Sequence, residues 1–223
     1  MALSYKIFSL SDSAVTIDFG NVIDEKVNNF VMRLYRFCRD NPFLGMIEVM
    51  PAYASLTVFY DVLKVRKTNI EVKTAFDFTK KYLENSLQNL NNEQVIEPNL
   101  VNIPVIYDGE DLNFVAEYNQ LSIGEVIKIH TSPIYRVYMM GFLPGFAYMG
   151  GLDARIATPR KSTPRTKVAA GSVGIAGNQT GIYPSESPGG WQLIGRTELQ
   201  LYTPNSTNLT LLKAGDLVKF FEI

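Results

Sequence analysis

Five cations, Arg155, Arg160, Lys161, Arg165 and Lys167, fall within thirteen residues of the stretch DARIATPRKSTPRTKV, with no acid after Asp153. Two Thr-Pro-Arg steps place Pro159 and Pro164 directly before Arg160 and Arg165. Each proline fixes its own φ and so stiffens the approach to a guanidinium fork, a group suited to gripping carboxylate or phosphate oxygens in pairs. The same charges could instead form a solvated edge that discourages strand pairing, and the stretch alone leaves both readings open. On either side lie runs rich in glycine and aromatic residues. GFLPGFAYMGG, residues 141–151, sets Phe142, Phe146 and Tyr148 among glycines, which allow positive φ and close backbone approach, although an apolar turn plugging a barrel would read the same way.

The third run, AGSVGIAGNQTGIYPSESPGGWQLIGRT, contains the only tryptophan, Trp191, and ends on Arg196 and Thr197. Gly171, Gly174, Gly177 and Gly181 there could turn backbone N–H groups toward an anion, with Ser172, Asn178, Gln179 and Thr180 as neighbouring polar groups. Gly189 and Gly190 let the main chain pass close to a ligand with Trp191 behind them. Glycine loses more conformational entropy on folding than any other residue, so this density favours a binding surface over a simple connector.

Other chemistries are absent. There is no G-x-x-x-x-G-K-[ST] and no G-x-G-x-x-G after a strand, and the glycines around Ser172 are misplaced for a nucleophile elbow. His130 is the only histidine and Cys38 the only cysteine. A His-rich or Cys-based metal site and an intrachain disulfide are therefore excluded. His130 reads either as a helix-end residue bonding terminal carbonyls or as a group for proton transfer or substrate contact. Cys38 falls on an apolar helix face and is expected to be buried.

With 46% apolar and 19% charged residues and a net charge of −1, the chain is a folded protein with no global attraction to nucleic acid or anionic membranes. MALSYKIFSLSDSAV lacks a signal-peptide core, and the uncharged run Val137–Leu152 is too short and too broken to span a bilayer. A cytoplasmic address is expected, and the N-x-[ST] patterns at Asn178, Asn205 and Asn208 are chance matches.

Two regions must position these groups. Up to residue 96, AVTIDF reads as a strand, Asp24 as the cap of a helix to Asp40, GMIEVM and SLTVFY as a hairpin, and Ile70 to Leu90 as a second helix. This β-α-β-β-α order is most of a ferredoxin-like unit. NNEQVIEPN reads as the boundary and LVNIPVIY as the next strand. Two short helices follow at 111–118 and 122–129, the second with a Ser122/Glu125 capping box. From Gly141 to Thr197 fall 11 of the 16 glycines and 5 of the 11 prolines, so short strands such as YRVYMM, LQLYT and LVKFFEI, separated by shaped loops, are expected to form a barrel or sandwich.

The run from Gly141 to Thr197, together with HTSPIYRVYMMGF, IPVIYDGEDLNFVAEYNQLS, SDSAVTIDFG and VMPAYASLTVFYD, resembles the KipI family, also described as allophanate hydrolase subunit 1. That family takes in the B subunits of bacterial ATP-dependent 5-oxoprolinases. The likeness covers nearly the whole chain, with Ala169 standing where the family usually has proline and a shortened stretch in YDGEDLNFV. It implies a ferredoxin-like α+β domain over 1–96 and a mainly-β, cyclophilin-like barrel over 97–223. It also implies a non-autonomous component of a heteromeric complex. With a homologous C subunit, and with the A subunit, it would open 5-oxoproline to glutamate at the expense of ATP with Mg2+.

Positions that match the family's motif and suit a site are His130, Arg160 and Arg165 for catalysis, and Tyr135, Phe142, Ser172, Gln179, Tyr183, Gly189, Gly190, Trp191 and Arg196 for substrate binding, with no metal. On this basis Arg160 and Arg165 would hold carboxylate or phosphate oxygens, the Gly171–Gly181 backbone would cradle an anion and Trp191 would wall the pocket. The same resemblance admits a KipI-type inhibitor of a sensor histidine kinase, or a carboxyltransferase-like part of a urea-degrading system.

Overall fold

The computed structural model describes residues 3–90 and 98–223, and the chain divides into two units, Met1–Ile96 and Glu97–Ile223. Residues 91–97 of the boundary stretch lie outside the described residues.

In the first unit, β1 (Lys6–Ser11), β2 (Ala14–Asp18), β3 (Met46–Pro51) and β4 (Ser55–Tyr60) form an antiparallel sheet in the order β1-β2-β4-β3. Helix α1 (Glu25–Asp40) starts where Asp24 accepts the Val27 amide at 2.9 Å, and its Val27, Val31, Leu34 and Cys38 enter the core. The buried Asn28 amide donates to the carbonyls of Ala52 and Tyr53 at 3.3 and 3.1 Å, which pins α1 to the β3–β4 turn. A short helix not foreseen in the sequence, α2 (Val62–Thr68), is capped by Asp61, and the helix anticipated from Ile70 to Leu90 is α3 (Ala75–Asn89), which starts later, at its cap Thr74. Strand β1 was not foreseen, because only Ile7 of its six residues turns toward the core and no alternation marks it. It lies beside β2, the place that a ferredoxin-like unit gives to a strand following the second helix.

The second unit is built on seven strands: β5 (Leu100–Val105), β6 (Tyr135–Met140), β7 (Ala147–Gly150), β9 (Ser172–Ala176), β10 (Gln179–Ile182), β12 (Gln192–Arg196) and β13 (Leu217–Glu222). Their order is β12-β9-β10-β7-β6-β13-β5, and Ile106 then exchanges both backbone hydrogen bonds with Arg196, at 2.9 Å each. That pair joins the last strand of the sheet to the first and makes a nearly closed barrel. β8 (Arg165–Val168) and β11 (Ser187–Gly189) form a separate two-stranded ribbon. The helices α4 (Leu112–Tyr118) and α5 (Ile123–Thr131) add Leu112, Val115, Val126 and Ile129 to the barrel core, and α5 opens with the expected capping box. LQLYT, anticipated as a strand, lies in an irregular segment held by a single Tyr202–Thr210 bridge.

At the end of α5, the His130 ring turns inward rather than toward the terminal carbonyls. It has no solvent exposure, with its centroid 4.7 Å from Phe220 and 5.4 Å from Tyr135. Thr180 Oγ1 donates to Gly174 O at 3.0 Å and so accepts from His130 Nε2–H at 2.9 Å, which leaves Nδ1 to accept from the Tyr107 hydroxyl at 2.7 Å. Tyr135 donates to the His130 carbonyl at 2.7 Å. The expectation of proton transfer by His130 and substrate contact by Tyr135 is corrected here, since both are satisfied inside the core.

Burial pushes the His130 imidazole down to about 3, from 6.5. The unfolded chain takes up a proton near the ordinary value while the folded one does not, so stability is full above about pH 6.5 and falls as the pH drops toward 3. The expected slope from this residue approaches about 1.4 kcal/mol per pH unit. Urea midpoints from pH 7 to 4 should show it, and His130→Gln should flatten it; equal slopes in both proteins would exclude the assignment. At the barrel seam, a Cβ on Gly195 would sit 2.5 Å from Ile106 O. Gly195→Ala should therefore cost about 1–3 kcal/mol, read as a lower thermal midpoint.

Candidate functional site

Where the β6–β7 loop, the cationic loop before β8 and the SPGGW turn meet, they enclose a cleft of about 290 Å³. Its walls are rings. Phe146 is the hub, with centroids 4.8 Å from Tyr148, 5.3 Å from Tyr183 and 5.5 Å from Trp191, each packed edge to face. Phe142 stands over this cluster, 5.5 Å from Phe146, and is more than half exposed. Its φ of +69° is rare for a side chain of this kind and is strained, and such strain concentrates at ligand sites. The glycines make the packing possible: a Cβ at Gly189 would lie 2.4 Å from the Tyr183 hydroxyl, and one at Gly181 3.0 Å from the Trp191 ring.

Charge enters through the cationic loop, and its two arginines differ. The Arg160 guanidinium lies 5.8 Å from the Trp191 ring centroid, in range of a cation–π contact, and has no ion-pair partner among the described residues. Arg165 is committed. It reaches Asp111 Oδ2 at 2.5 Å and Glu110 Oε1 at 2.5 Å, and donates to the Trp191 carbonyl at 3.2 Å. Lys161, also in the cleft wall, pairs with Asp111 Oδ1 at 3.1 Å. Arg165 therefore backs the site, and the expectation that both arginines offer free forks is corrected to Arg160 alone.

Burial raises the Tyr148 and Tyr183 phenols, and Arg160 draws each part of the way back, so both are protonated at neutral pH. No carboxylate or imidazole is among the described lining residues. The cleft can hold and orient a ligand through ring faces, phenol hydroxyls and one cation, but it supplies no general base of its own.

Of the residues singled out in the sequence, Phe142, Arg160, Tyr183, Gly189, Gly190 and Trp191 line the cleft, and Arg165 stands behind it. The others lie elsewhere. Ser172 pairs with Arg196 across β9 and β12, and Gln179 opens β10 beside the Gly177–Asn178 turn. Arg196 reaches out to Asp108 at 2.9 Å. The proposed backbone cradle is also corrected: Gly171 N donates to Tyr183 O and Gly177 N to Thr158 O, both at 2.7 Å, while Gly174 and Gly181 face each other in the β9–β10 ladder. Asp111 was read only as a helix start. It makes no capping bond and instead sends its carboxylate to the cations.

Mg2+-ATP does not fit this cleft. A polyphosphate needs several uncompensated cations or free N–H groups, whereas Lys161 and Arg165 are paired and the glycine N–H groups cited above are bonded. Nor do the described residues hold a group of three or more His, Cys, Asp or Glu side chains suited to a metal ion. A larger hollow of about 610 Å³ lies beside α3 in the first unit, where two of its polar wall residues are bonded within the fold: Asn69 donates to Val65 O at 3.0 Å and Tyr82 to Asn41 O at 2.9 Å.

Residues 5–212 match the family model described as carboxyltransferase domain, subdomain C and D. The B subunit of 5-oxoprolinase from Bacillus subtilis (strain 168) is 49% identical over 227 residues, covering 100% of this chain and 95% of that one. The crystal structure of TTHA0988 in space group P6522 superposes with a TM-score of 0.81 at 35% identity, over 95% of this chain but 40% of the longer one. Similarity to the urea amidolyase of Saccharomyces cerevisiae is distant, at 24% identity over 83% of this chain and 11% of that protein. A match this long to the family model, joined to near-half identity along the full chain, identifies the protein as a member of the carboxyltransferase subdomain C and D family, on the branch that contains the 5-oxoprolinase B subunits.

Proposed function

We propose that the chain acts as the B subunit of an ATP-dependent 5-oxoprolinase and that its aromatic cleft grips the small lactam substrate. The observation that carries this reading is the cleft itself: rings on several sides, a volume near the lower end of the roughly 300–1,000 Å³ common for small-molecule sites, and a single unpaired guanidinium at its edge. 5-Oxoproline is a five-membered ring bearing one carboxylate. Its ring would lie against Phe146, Tyr148 and Trp191 while the carboxylate takes the Arg160 fork.

The lactam amide is unreactive at neutral pH, and opening it to glutamate requires activation and a water made nucleophilic. The cleft's lining offers no base for that step and no cradle for a polyphosphate, which supports a division of labour. This chain binds and orients the lactam, while the homologous C subunit, together with the A subunit, completes the site with ATP and Mg2+. Ring walls that exclude water would strengthen the Arg160–carboxylate contact and protect an activated intermediate from premature hydrolysis. No helix among the described residues is long and apolar enough to cross a membrane.

Two variants of the co-expressed complex test this. Arg160→Gln should raise KM for 5-oxoproline roughly 10- to 100-fold, the loss of one charge-assisted contact, with a smaller change in kcat. A KM within twofold of the wild type would remove the assignment. Gly189→Ala should drive the Tyr183 ring into the cleft and raise KM without preventing assembly of the complex, as read by co-purification.

A further inference from the structure

Asp111 is nearly buried and lies at the centre of the charged groups around the cleft. Its Oδ1 meets Lys161 Nζ at 3.1 Å. Its Oδ2 meets Arg165 Nη2 at 2.5 Å and accepts the Leu193 amide at 2.7 Å. Glu110 adds a second, more exposed carboxylate on Arg165 Nε. Three cations, Arg160, Lys161 and Arg165, thus stand against two acids, and one positive charge is left over, on Arg160.

We propose that Asp111 sets the charge class of the ligand: by neutralising, together with Glu110, Lys161 and Arg165 from behind, it tunes the cleft to a single negative charge and turns away dianions and polyphosphates. This deepens the reading above and rests on the cleft being the ligand site. Asp111 touches no ligand and acts through the cations, as a positioning and selectivity residue. A basic loop of this density would otherwise attract phosphate-bearing metabolites, which carry two or more charges and compete with a monocarboxylate. The paired cations keep a mechanical use, because Arg165 also holds the Trp191 carbonyl and with it the back wall of the cleft.

Trp191 is the only tryptophan and lines the cleft, so its fluorescence in the purified chain reports occupancy directly. The probes are 5-oxoproline and acetate as monoanions and sulfate as a dianion. Wild type should favour the monoanions. Asp111→Asn should shift the preference toward sulfate by roughly tenfold, the effect of one added charge at a partly solvated site. The decisive variant is Asp111→Asn combined with Lys161→Gln, which restores the charge balance and should return the preference to the wild-type value. A structural role for Asp111 would not be rescued in this way.

An unchanged preference in folded Asp111→Asn, or a double variant that stays shifted, overturns the proposal. Should Asp111→Asn not fold, Lys161→Gln alone must weaken sulfate more than acetate, and equal weakening overturns it too. If 5-oxoproline fails to bind while acetate and sulfate show the Asp111-dependent preference, the substrate reading falls and the charge inference stands. If no anion perturbs Trp191, the charge inference itself falls.

Discussion

The geometry of the cleft depends on one carboxylate that water scarcely reaches. Asp111 stands at the start of α4, yet its oxygens bind the loop before β8 through Lys161, β8 itself through Arg165, and β12 through the Leu193 amide. Three stretches distant in sequence, the start of α4, residues 161–165 and β12, converge on that side chain. A carboxylate removed from water is costly unless it is fully paired, and one with cations on both oxygens and a backbone donor meets that condition. The ring cluster is then built on a fixed frame, since Arg165 reaches from Asp111 to the Trp191 carbonyl, and Trp191 packs on Phe146.

Around that frame the glycines and aromatics complement one another. At Gly181 and Gly189 a missing side chain is what lets Trp191 and Tyr183 approach the backbone, and at Phe142 a side chain is kept where glycine would be easier. Apolar rings on several sides and a lone guanidinium underlie the proposed discrimination by shape and by one unit of charge.

Much of this was legible in the sequence, for reasons that vary by residue. Helix caps at Asp24 and Ser122 are local, so a few neighbouring residues suffice to recognise them. The rings of GFLPGF and SPGGW stood out because glycines flank them, although an apolar turn plugging a barrel has the same composition. Arg160 and Arg165 could not be told apart, since identical Thr-Pro-Arg contexts surround both and the difference is an acid 54 residues before Arg165. The glycines from 171 to 181 were misread because a nest of N–H groups and a tightly packed strand pair demand the same residue; only the ladder partners decide. His130 has a helix-end position whether its ring turns outward or inward, and the Tyr107 and Thr180 partners that turn it inward are distant in sequence. Strand β1 gave no signal because an edge with one inward residue has no period to detect.

The parallel pairing of β13 with β5 has a consequence for how the second unit is made. Leu217 to Glu222 lie in register with Leu100 to Val105, across more than a hundred residues of intervening chain. Contacts of that separation are slow to form, and a strand cannot dock on a segment not yet synthesised. During translation the nascent sheet must therefore wait, with β5 and β6 each lacking a neighbour, until the last strand leaves the ribosome. Biogenesis of this unit is thus governed by its final strand, and the interval before that strand arrives is when a chaperone has most to protect.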